Sequence, residues 1–126
     1  MRDVVLITGP PGAGKTTKAR ELAQAGYVHL EREQYGDDPS FRAAVETLTR
    51  TQPKVAVVRC CFTPDELGQW LMLTGATKHL ELDPGIDVVR ARVTRRANVD
   101  WRGELAGVDR WYRGRTSRSG GGGRWW

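Results

Sequence analysis

A glycine-rich segment near the amino end carries the clearest chemical signal in the chain. The run GPPGAGKT at positions 9–16 fits the pattern G-x-x-x-x-G-K-[ST]. Glycines in such a loop let successive backbone N–H groups converge on phosphate oxygens, and the start of the following helix adds positive charge. We therefore expect a nucleoside triphosphate to bind at Gly9, Pro10, Pro11, Gly12, Ala13, Gly14, Lys15, Thr16 and Thr17.

Two side chains at the end of this loop have separate expected tasks. The Lys15 ammonium would bridge the β- and γ-phosphates, and the Thr16 hydroxyl would ligate Mg²⁺. The expected cofactors are therefore ATP and Mg²⁺. The alternative is a turn rich in glycine and proline that binds nothing. It is disfavoured because the pattern follows an apolar strand and precedes a helix, as the mechanism requires.

An acidic segment follows the second predicted strand, in the sequence HLEREQY at positions 29–35. The carboxyl ends of strands in a doubly wound sheet open into the ligand crevice, so Glu31 and Glu33 would lie beside the γ-phosphate. Either carboxylate could take the proton of an acceptor hydroxyl. The alternative is that both are ordinary surface glutamates. His29 is expected to be structural.

Arginines after the fourth predicted strand are candidates for a lid over the phosphates. Arg92 and Arg96 are four residues apart and would share one helix face, from which they could neutralise charge on the γ-phosphate. The alternative is a basic helix that faces solvent. Arg59, at the end of the third strand, could contact an acceptor phosphate or pair with Asp65 or Glu66.

The elements that position these residues alternate between strand and helix. Such alternation with short connections predicts a parallel sheet with helices on both faces, an α/β three-layer sandwich of the P-loop NTPase type. The predicted strands are Val4–Thr8, Tyr27–Glu31, Lys54–Arg59 and Lys78–Leu82. The predicted helices are Lys15–Ala25, Phe41–Thr51, Asp65–Leu73, Ile86–Ala97 and Gly103–Tyr112.

Length and composition limit the classes of protein that fit. The 126 residues, 39% of them hydrophobic and 28% charged, suit one packed domain. No run of 18 apolar residues and no signal-peptide pattern is present, so we expect no membrane association. The only cysteines, Cys60 and Cys61, are adjacent, which fits a reducing compartment and predicts a cytoplasmic protein.

Charge is distributed unevenly along the chain. The net charge of +5 divides into −2 over residues 1–87 and +7 over residues 88–126. This asymmetry predicts a positive carboxyl-terminal surface that faces an anionic partner. Composition indicates a domain at 1–113 and a flexible Gly/Arg tail at 114–126, which ends in Trp125 and Trp126. The tail could stack on nucleic-acid bases, contact another protein or do nothing.

Among proteins with such a loop, size favours a small kinase. Motor ATPases need more chain for sensor and oligomer elements, and the N-K-x-D sequences with which GTPases recognise their base are absent. Residues 4–96 then resemble the P-loop polynucleotide 5′-kinases of the phage and repair-enzyme type. The resemblance rests on the loop at 9–17, on R-[DE]-x-Y at Arg32–Tyr35, and on D-x(8)-R-x(3)-R at Asp83, Arg92 and Arg96.

The resemblance implies transfer of phosphate to the 5′-hydroxyl of a polynucleotide. It implies that Glu33 is the general base and that Lys15, Arg92 and Arg96 stabilise charge. Arg32 and Arg59 are the candidate residues for contact with the acceptor. Arg59 stands where the family has an aspartate, and Gly36 where the family often has an arginine. The alternatives are a kinase for a nucleoside, nucleotide or other small molecule, and a nucleotide-gated binding module with little or no transferase activity.

Overall fold

Four parallel strands form one sheet in the computed structural model, which describes residues 2–96 and 101–119. The strand order is β2-β3-β1-β4, and every pair of neighbours is parallel. The predicted α/β class and the number of strands are therefore confirmed. The strands are β1 Asp3–Thr8, β2 Val28–Glu31, β3 Lys54–Val58 and β4 Lys78–Glu81.

Helices connect the strands and cover the sheet. Each parallel pair needs a crossover, and the helices supply the bulk of these connections. The described helices are α1 Lys15–Gln24, α2 Asp38–Thr51, α3 Pro64–Thr74, α4 Ile86–Arg95 and α5 Trp101–Ser119, and a 3₁₀ turn spans Arg32–Gln34.

The register of the strands brings their carboxyl ends to one edge of the sheet. Val58 of β3 pairs with Ile7 on one side and with Glu31 on the other. The loop after β1, the acidic end of β2 and Arg59 after β3 therefore leave the sheet at the same level. This is the edge at which open α/β sheets bind ligands.

Alternating side chains of the strands fill two cores. Leu6 packs with Phe41 and Trp70 beneath α2 and α3, whereas Ile7 packs with Ala19 beneath α1. Helices therefore lie on both faces, and the sandwich has the predicted three layers. A further cluster joins α4, α5 and the loop after β1, and it consists of Ala13, Val89, Val93 and Val108.

Capping residues set where two of the helices begin. The Asp37 side chain accepts from the Ser40 N–H at 2.7 Å, and the Thr63 hydroxyl accepts from the Glu66 N–H at 3.1 Å. Because Asp37 is the cap, α2 begins at Asp38 rather than at the predicted Phe41.

The predicted ends of the last two helices were wrong. Helix α4 ends at Arg95, and Arg96 follows with an extended backbone, so Arg96 is not on the same helix as Arg92. Helix α5 continues past the predicted end at Tyr112 to Ser119, because packing of Val108 and Trp111 supports it where composition predicted coil.

Two tryptophans of the described residues are buried. Trp70 and Trp111 have no exposed surface. Trp125 and Trp126 lie outside the described residues, as do the four glycines at 120–123, so the predicted division into a domain and a tail stays a prediction. None of the helices described is long and apolar enough to cross a membrane.

Candidate active site

The loop after β1 folds as a cradle because three glycines take positive φ angles. These angles are 149° at Gly9, 82° at Gly12 and 98° at Gly14, a region that residues with a Cβ rarely adopt. Space is limiting as well, because a Cβ on Gly9 would lie 2.4 Å from the Leu82 carbonyl oxygen. Gly14 is the N-cap of α1, so the cradle opens onto the positive end of that helix.

The reactive side chains of this loop are held by neighbouring oxygens. The Lys15 ammonium donates to the carbonyl oxygens of Gly9 at 3.0 Å and Pro10 at 2.7 Å, so it lies over the loop. The Thr16 hydroxyl donates to the carboxylate of Glu31, with distances of 3.0 and 2.9 Å to its two oxygens. The predicted phosphate and metal residues are therefore linked directly to the end of β2.

Glu31 and Glu33 form a coupled pair of carboxyl groups. Burial raises the pKa of Glu31, but hydrogen bonds from Glu33, His29 and Thr16 outweigh it, so the pKa lies below its usual value. The hydrogen bond to Glu31 raises the pKa of Glu33, and burial and repulsion between the two carboxylates add to the shift. A proton bound by the pair is therefore favoured on Glu33 over Glu31.

A single cavity of about 790 Å³ joins the loop to the ends of β2 and β3. Its walls contain Glu31, Glu33 and most of the predicted loop residues, namely Pro11, Gly12, Gly14, Lys15, Thr16 and Thr17. Gly9, Pro10 and Ala13 of the predicted loop do not border it. Arg32, Arg59 and Arg96 also border it, as do Asp38, Cys60 and Phe62. The sequence-based prediction that these segments share one site is consistent with this arrangement.

The residues around Thr16 fit a magnesium ion. Mg²⁺ prefers oxygen ligands and is usually bound by one or two protein groups together with phosphates and water. The Thr16 hydroxyl and the Glu31 carboxylate supply such oxygens. Across residues 2–96 and 101–119, no three His, Cys, Asp or Glu side chains group as a metal site, so the phosphates would have to complete the shell.

The two lid arginines occupy different positions. The Arg92 guanidinium donates to the carbonyl oxygen of Gly12 at 3.2 Å, so it holds α4 against the loop and does not border the cavity. Arg96 borders the cavity and pairs with Glu104 of α5 at 2.9 Å. Arg92 therefore contacts the loop backbone away from the cavity, whereas Arg96 borders the cavity itself.

Arg59 joins a cluster of charges at the far end of the cavity. Its guanidinium lies 2.6 Å from Asp38 and 3.6 Å from Glu66, and its carbon is 4.7 Å from the centre of the Trp70 ring. Of the two ion pairs predicted for Arg59, the one with Glu66 is present. No ion pair with Asp65 is found among the described residues. Arg32 approaches the same Asp38 oxygen at 3.6 Å, and Arg42 lies 3.2 Å from the other. Hydrogen bonds and positive charge from Arg59, and to a smaller extent from Arg42, outweigh burial and lower the pKa of Asp38.

Helix α5 forms the remaining wall. A Cβ on Gly107 would lie 3.1 Å from the Pro11 ring, so the helix packs closely on the loop. The Trp111 indole N–H donates to the Cys60 carbonyl oxygen at 3.0 Å, and a Cβ on Gly114 would lie 2.2 Å from the carbonyl oxygen of Phe62. The end of β3 is therefore fixed from above by α5.

Sequence reasoning missed three residues of this site. These residues are Asp38, Phe62 and Glu104, none of which is among the predicted site residues. Their side chains border the cavity through contacts between segments distant in sequence. One sequence signal could have located Phe62. Thr63 and Pro64 indicate that a helix begins directly after it, so Phe62 must lie in the short connection between β3 and that helix.

Comparison with known proteins rests on structure, because no family model and no curated protein matches the chain. A gluconokinase from Sinorhizobium meliloti 1021 superposes with a TM-score of 0.65 at 14% identity, over 87% of this chain and 76% of that one. A sugar kinase from Janibacter sp. HTCC2649 gives 0.62 at 16% identity, over 86% and 78%. The fold is that of the P-loop kinases.

A third similar structure comes from an RNA repair complex. A chain of the Pnkp1/Rnl/Hen1 RNA repair complex superposes with a TM-score of 0.69 at 16% identity. The match covers 92% of this chain and 46% of that chain, so this protein spans less than half of it. At these identities the similarity establishes the fold alone.

Proposed function

We propose that this protein transfers the γ-phosphate of ATP to a hydroxyl acceptor, and that the acceptor is the 5′-hydroxyl of a polynucleotide. The observation that carries the proposal is the shared cavity. Its walls hold the phosphate-binding loop, the Glu31–Glu33 pair and the arginines that follow β2 and β3. Phosphoryl transfer needs positioning and charge stabilisation more than covalent chemistry, and these residues supply both.

The donor end of the site would work through the loop. Backbone N–H groups of the loop and the Lys15 ammonium would hold the phosphates, and bound Mg²⁺ would neutralise charge on them beside Thr16. To do so, Lys15 exchanges the carbonyl oxygens of Gly9 and Pro10 for phosphate oxygens. Arg96 is placed to add positive charge from the opposite wall.

The acceptor end would work through Glu33. Once ionised, its carboxylate can take the proton of the attacking hydroxyl, while Glu31 stays hydrogen-bonded to Thr16 and His29. Since the hydrogen bond to Glu31 raises the pKa of Glu33, the base is a stronger proton acceptor than an isolated glutamate. Lys15 opposes this shift and favours the ionised form needed for catalysis.

The charge at the acceptor end favours a polynucleotide. The guanidinium groups of Arg32, Arg42 and Arg59 surround the carboxylate of Asp38, and that of Arg59 also lies near Glu66. Of these groups, Arg32 and Arg59 border the cavity, where their guanidinium groups could exchange Asp38 for the phosphate next to a 5′-terminal nucleoside. The likeness to a chain of an RNA repair complex is in agreement with this assignment.

A kinase for a small molecule is the second candidate. The likeness to a gluconokinase and a sugar kinase favours it, and the cavity volume of about 790 Å³ is within the range of small-molecule sites. A nucleotide-gated binding module is the third, because Arg59 occupies the strand end where the resembled kinases carry a carboxylate.

A transfer assay with several acceptors separates these candidates. The purified chain is incubated with Mg²⁺, γ-labelled ATP and, in separate reactions, a 5′-hydroxyl oligonucleotide, a nucleoside and gluconate. We expect label on the oligonucleotide, and its loss in Glu33→Ala but not in Glu21→Ala, a matched change on the exposed side of α1. Label on a small acceptor alone would establish the second candidate, and ATP binding without transfer would establish the third.

A further inference from the structure

Phe62 stands apart from the other large aromatic residues near the site. Phe41, Trp70 and Trp111 are completely buried, whereas Phe62 is only partly buried. It belongs to none of the three hydrophobic clusters formed by the described residues, and its side chain borders the cavity. Core packing therefore does not account for an aromatic ring at this position.

One side of the Phe62 ring is covered by a cation. The guanidinium carbon of Arg110 lies 4.4 Å from the centre of the ring, within the range of a cation–π contact. Arg110 is exposed and does not border the cavity, whereas Phe62 does, so a molecule in the cavity would contact the ring rather than the guanidinium. An aromatic ring backed by arginine is the arrangement on which nucleic-acid bases stack.

The backbone that carries the Phe62 ring is also held in place. Helix α5 fixes the backbone on both sides of it, through the bond from Trp111 to the Cys60 carbonyl oxygen and through the close approach of Gly114 to the Phe62 carbonyl oxygen. A binding surface built on a fixed segment loses less conformational entropy when a ligand binds.

The position of Phe62 assigns it to the acceptor rather than to the donor nucleotide. It follows β3, which lies between β1 and β2 in the sheet. Arg59 and Glu33 border the same cavity from the ends of β3 and β2. Phe62 also lies three residues after Arg59, which the proposed function assigns to the acceptor, so a base stacked on Phe62 would belong to the acceptor.

We infer that Phe62 and Arg110 form a stacking platform for the terminal nucleobase of the acceptor. The inference rests on the proposed function and narrows it, because the acceptor must then carry a base beside the reacting hydroxyl. Stacking accepts any base, since every base has a π-face, so the platform gives preference for nucleotides without preference for sequence.

The test compares a normal 5′-hydroxyl oligonucleotide with one whose 5′-terminal nucleotide is abasic. Phe62→Leu keeps apolar bulk without the ring, Phe62→Trp keeps a ring, and Met72→Ala, at an 87% exposed position of α3, is the control. For the normal oligonucleotide we expect Phe62→Leu to raise the acceptor KM about tenfold, with the KM for ATP unchanged. Phe62→Trp and Met72→Ala should keep the wild-type values.

The abasic oligonucleotide shows whether the ring acts on a base. Wild type and Phe62→Leu should bind and phosphorylate it equally poorly. An equal loss on both oligonucleotides, or a rise in the KM for ATP alone, would overturn the platform.

Binding of the same two oligonucleotides is measured by fluorescence anisotropy alongside transfer. A wild-type chain that binds the normal strand better than the abasic one through Phe62, yet transfers no phosphate, would reject the proposed function and leave the platform intact. Equal anisotropy for wild type and Phe62→Leu with the normal strand would reject the platform itself.

Discussion

The phosphate-binding loop and the acceptor wall, which consists of Arg32, Glu33, Arg59 and Phe62, are built in different ways. The loop is one continuous segment, and its shape follows from the φ angles of its own glycines. The acceptor wall is assembled from two strand ends, and ion pairs to Asp38 and packing from α5 keep it in place. Damage to the loop should therefore abolish chemistry, whereas damage to the wall should weaken binding of one substrate.

The loop supplies the largest expected effect. Lys15→Ala should lower kcat for phosphoryl transfer about a thousandfold, because it removes the ammonium that would neutralise the transferred phosphate. Initial rates with labelled ATP measure this. Lys18→Ala is the matched control, since Lys18 is partly exposed and pairs with Glu21 at 3.5 Å on the surface of α1. Equal rates for the two variants would contradict the assigned role of Lys15.

The acceptor wall should respond differently. Arg59→Ala should raise the acceptor KM about tenfold and leave the KM for ATP unchanged, because the guanidinium is assigned to the acceptor phosphate. Arg59→Lys keeps the charge and should recover part of the loss. Arg50→Ala, at an exposed position of α2, is the control. Two-substrate kinetics check the result, and an effect confined to ATP would place Arg59 at the donor end instead.

The Glu31–Glu33 pair connects the two regions, and its behaviour with pH tests that connection. Glu33 must be ionised to act as a base, so kcat/KM should fall as the pH decreases through its raised pKa. Glu31→Gln removes the neighbouring negative charge, which should lower the pKa of Glu33 and move this decline to lower pH. Glu21→Gln should leave the profile unchanged. A profile that does not move in Glu31→Gln would show that the carboxyl groups titrate independently.

Two glycines in helices should give the smallest and most indirect effects. Gly114→Ala should destabilise the fold by about 1–3 kcal/mol, because its Cβ would meet the Phe62 carbonyl oxygen at 2.2 Å. Gly68→Ala in α3 has open space around it and should stabilise by about 0.5–1 kcal/mol through higher helix propensity. Denaturant unfolding measures both. Stabilisation by Gly114→Ala would mean that α5 does not press on the end of β3.

The difference between the regions also explains what could be predicted from the sequence. The loop and the strand before it were readable because every feature lies within about a dozen neighbouring residues. The shared carboxylate of Asp38 was not readable, since it lies 21 residues from Arg59 in the chain and meets it only after the sheet forms. Contacts that depend on topology have no local signal.

The end of helix α5 also depended on tertiary contacts and could not be predicted from local sequence. Its glycines and arginines have no strong preference for helix as a group, and composition alone predicted an early end at Tyr112. Val108 and Trp111 bury completely against α4 and the end of β3, and this tertiary packing decides the conformation.

Cys61, at the bend between the third strand and the helix that follows it, is the one residue other than glycine with a positive φ among those the structure describes, at 55°. A left-handed backbone at such a residue costs about 1–3 kcal/mol. The bend turns the cysteine side chain inward, where it is wholly enclosed, and the next residue outward. The side chain at position 61 must therefore meet two opposed requirements, a left-handed backbone and a filled interior. Glycine would relieve the backbone strain but leave a cavity where the cysteine side chain packs. A side chain larger than cysteine would not fit the enclosed space unless the bend that positions Phe62 changed.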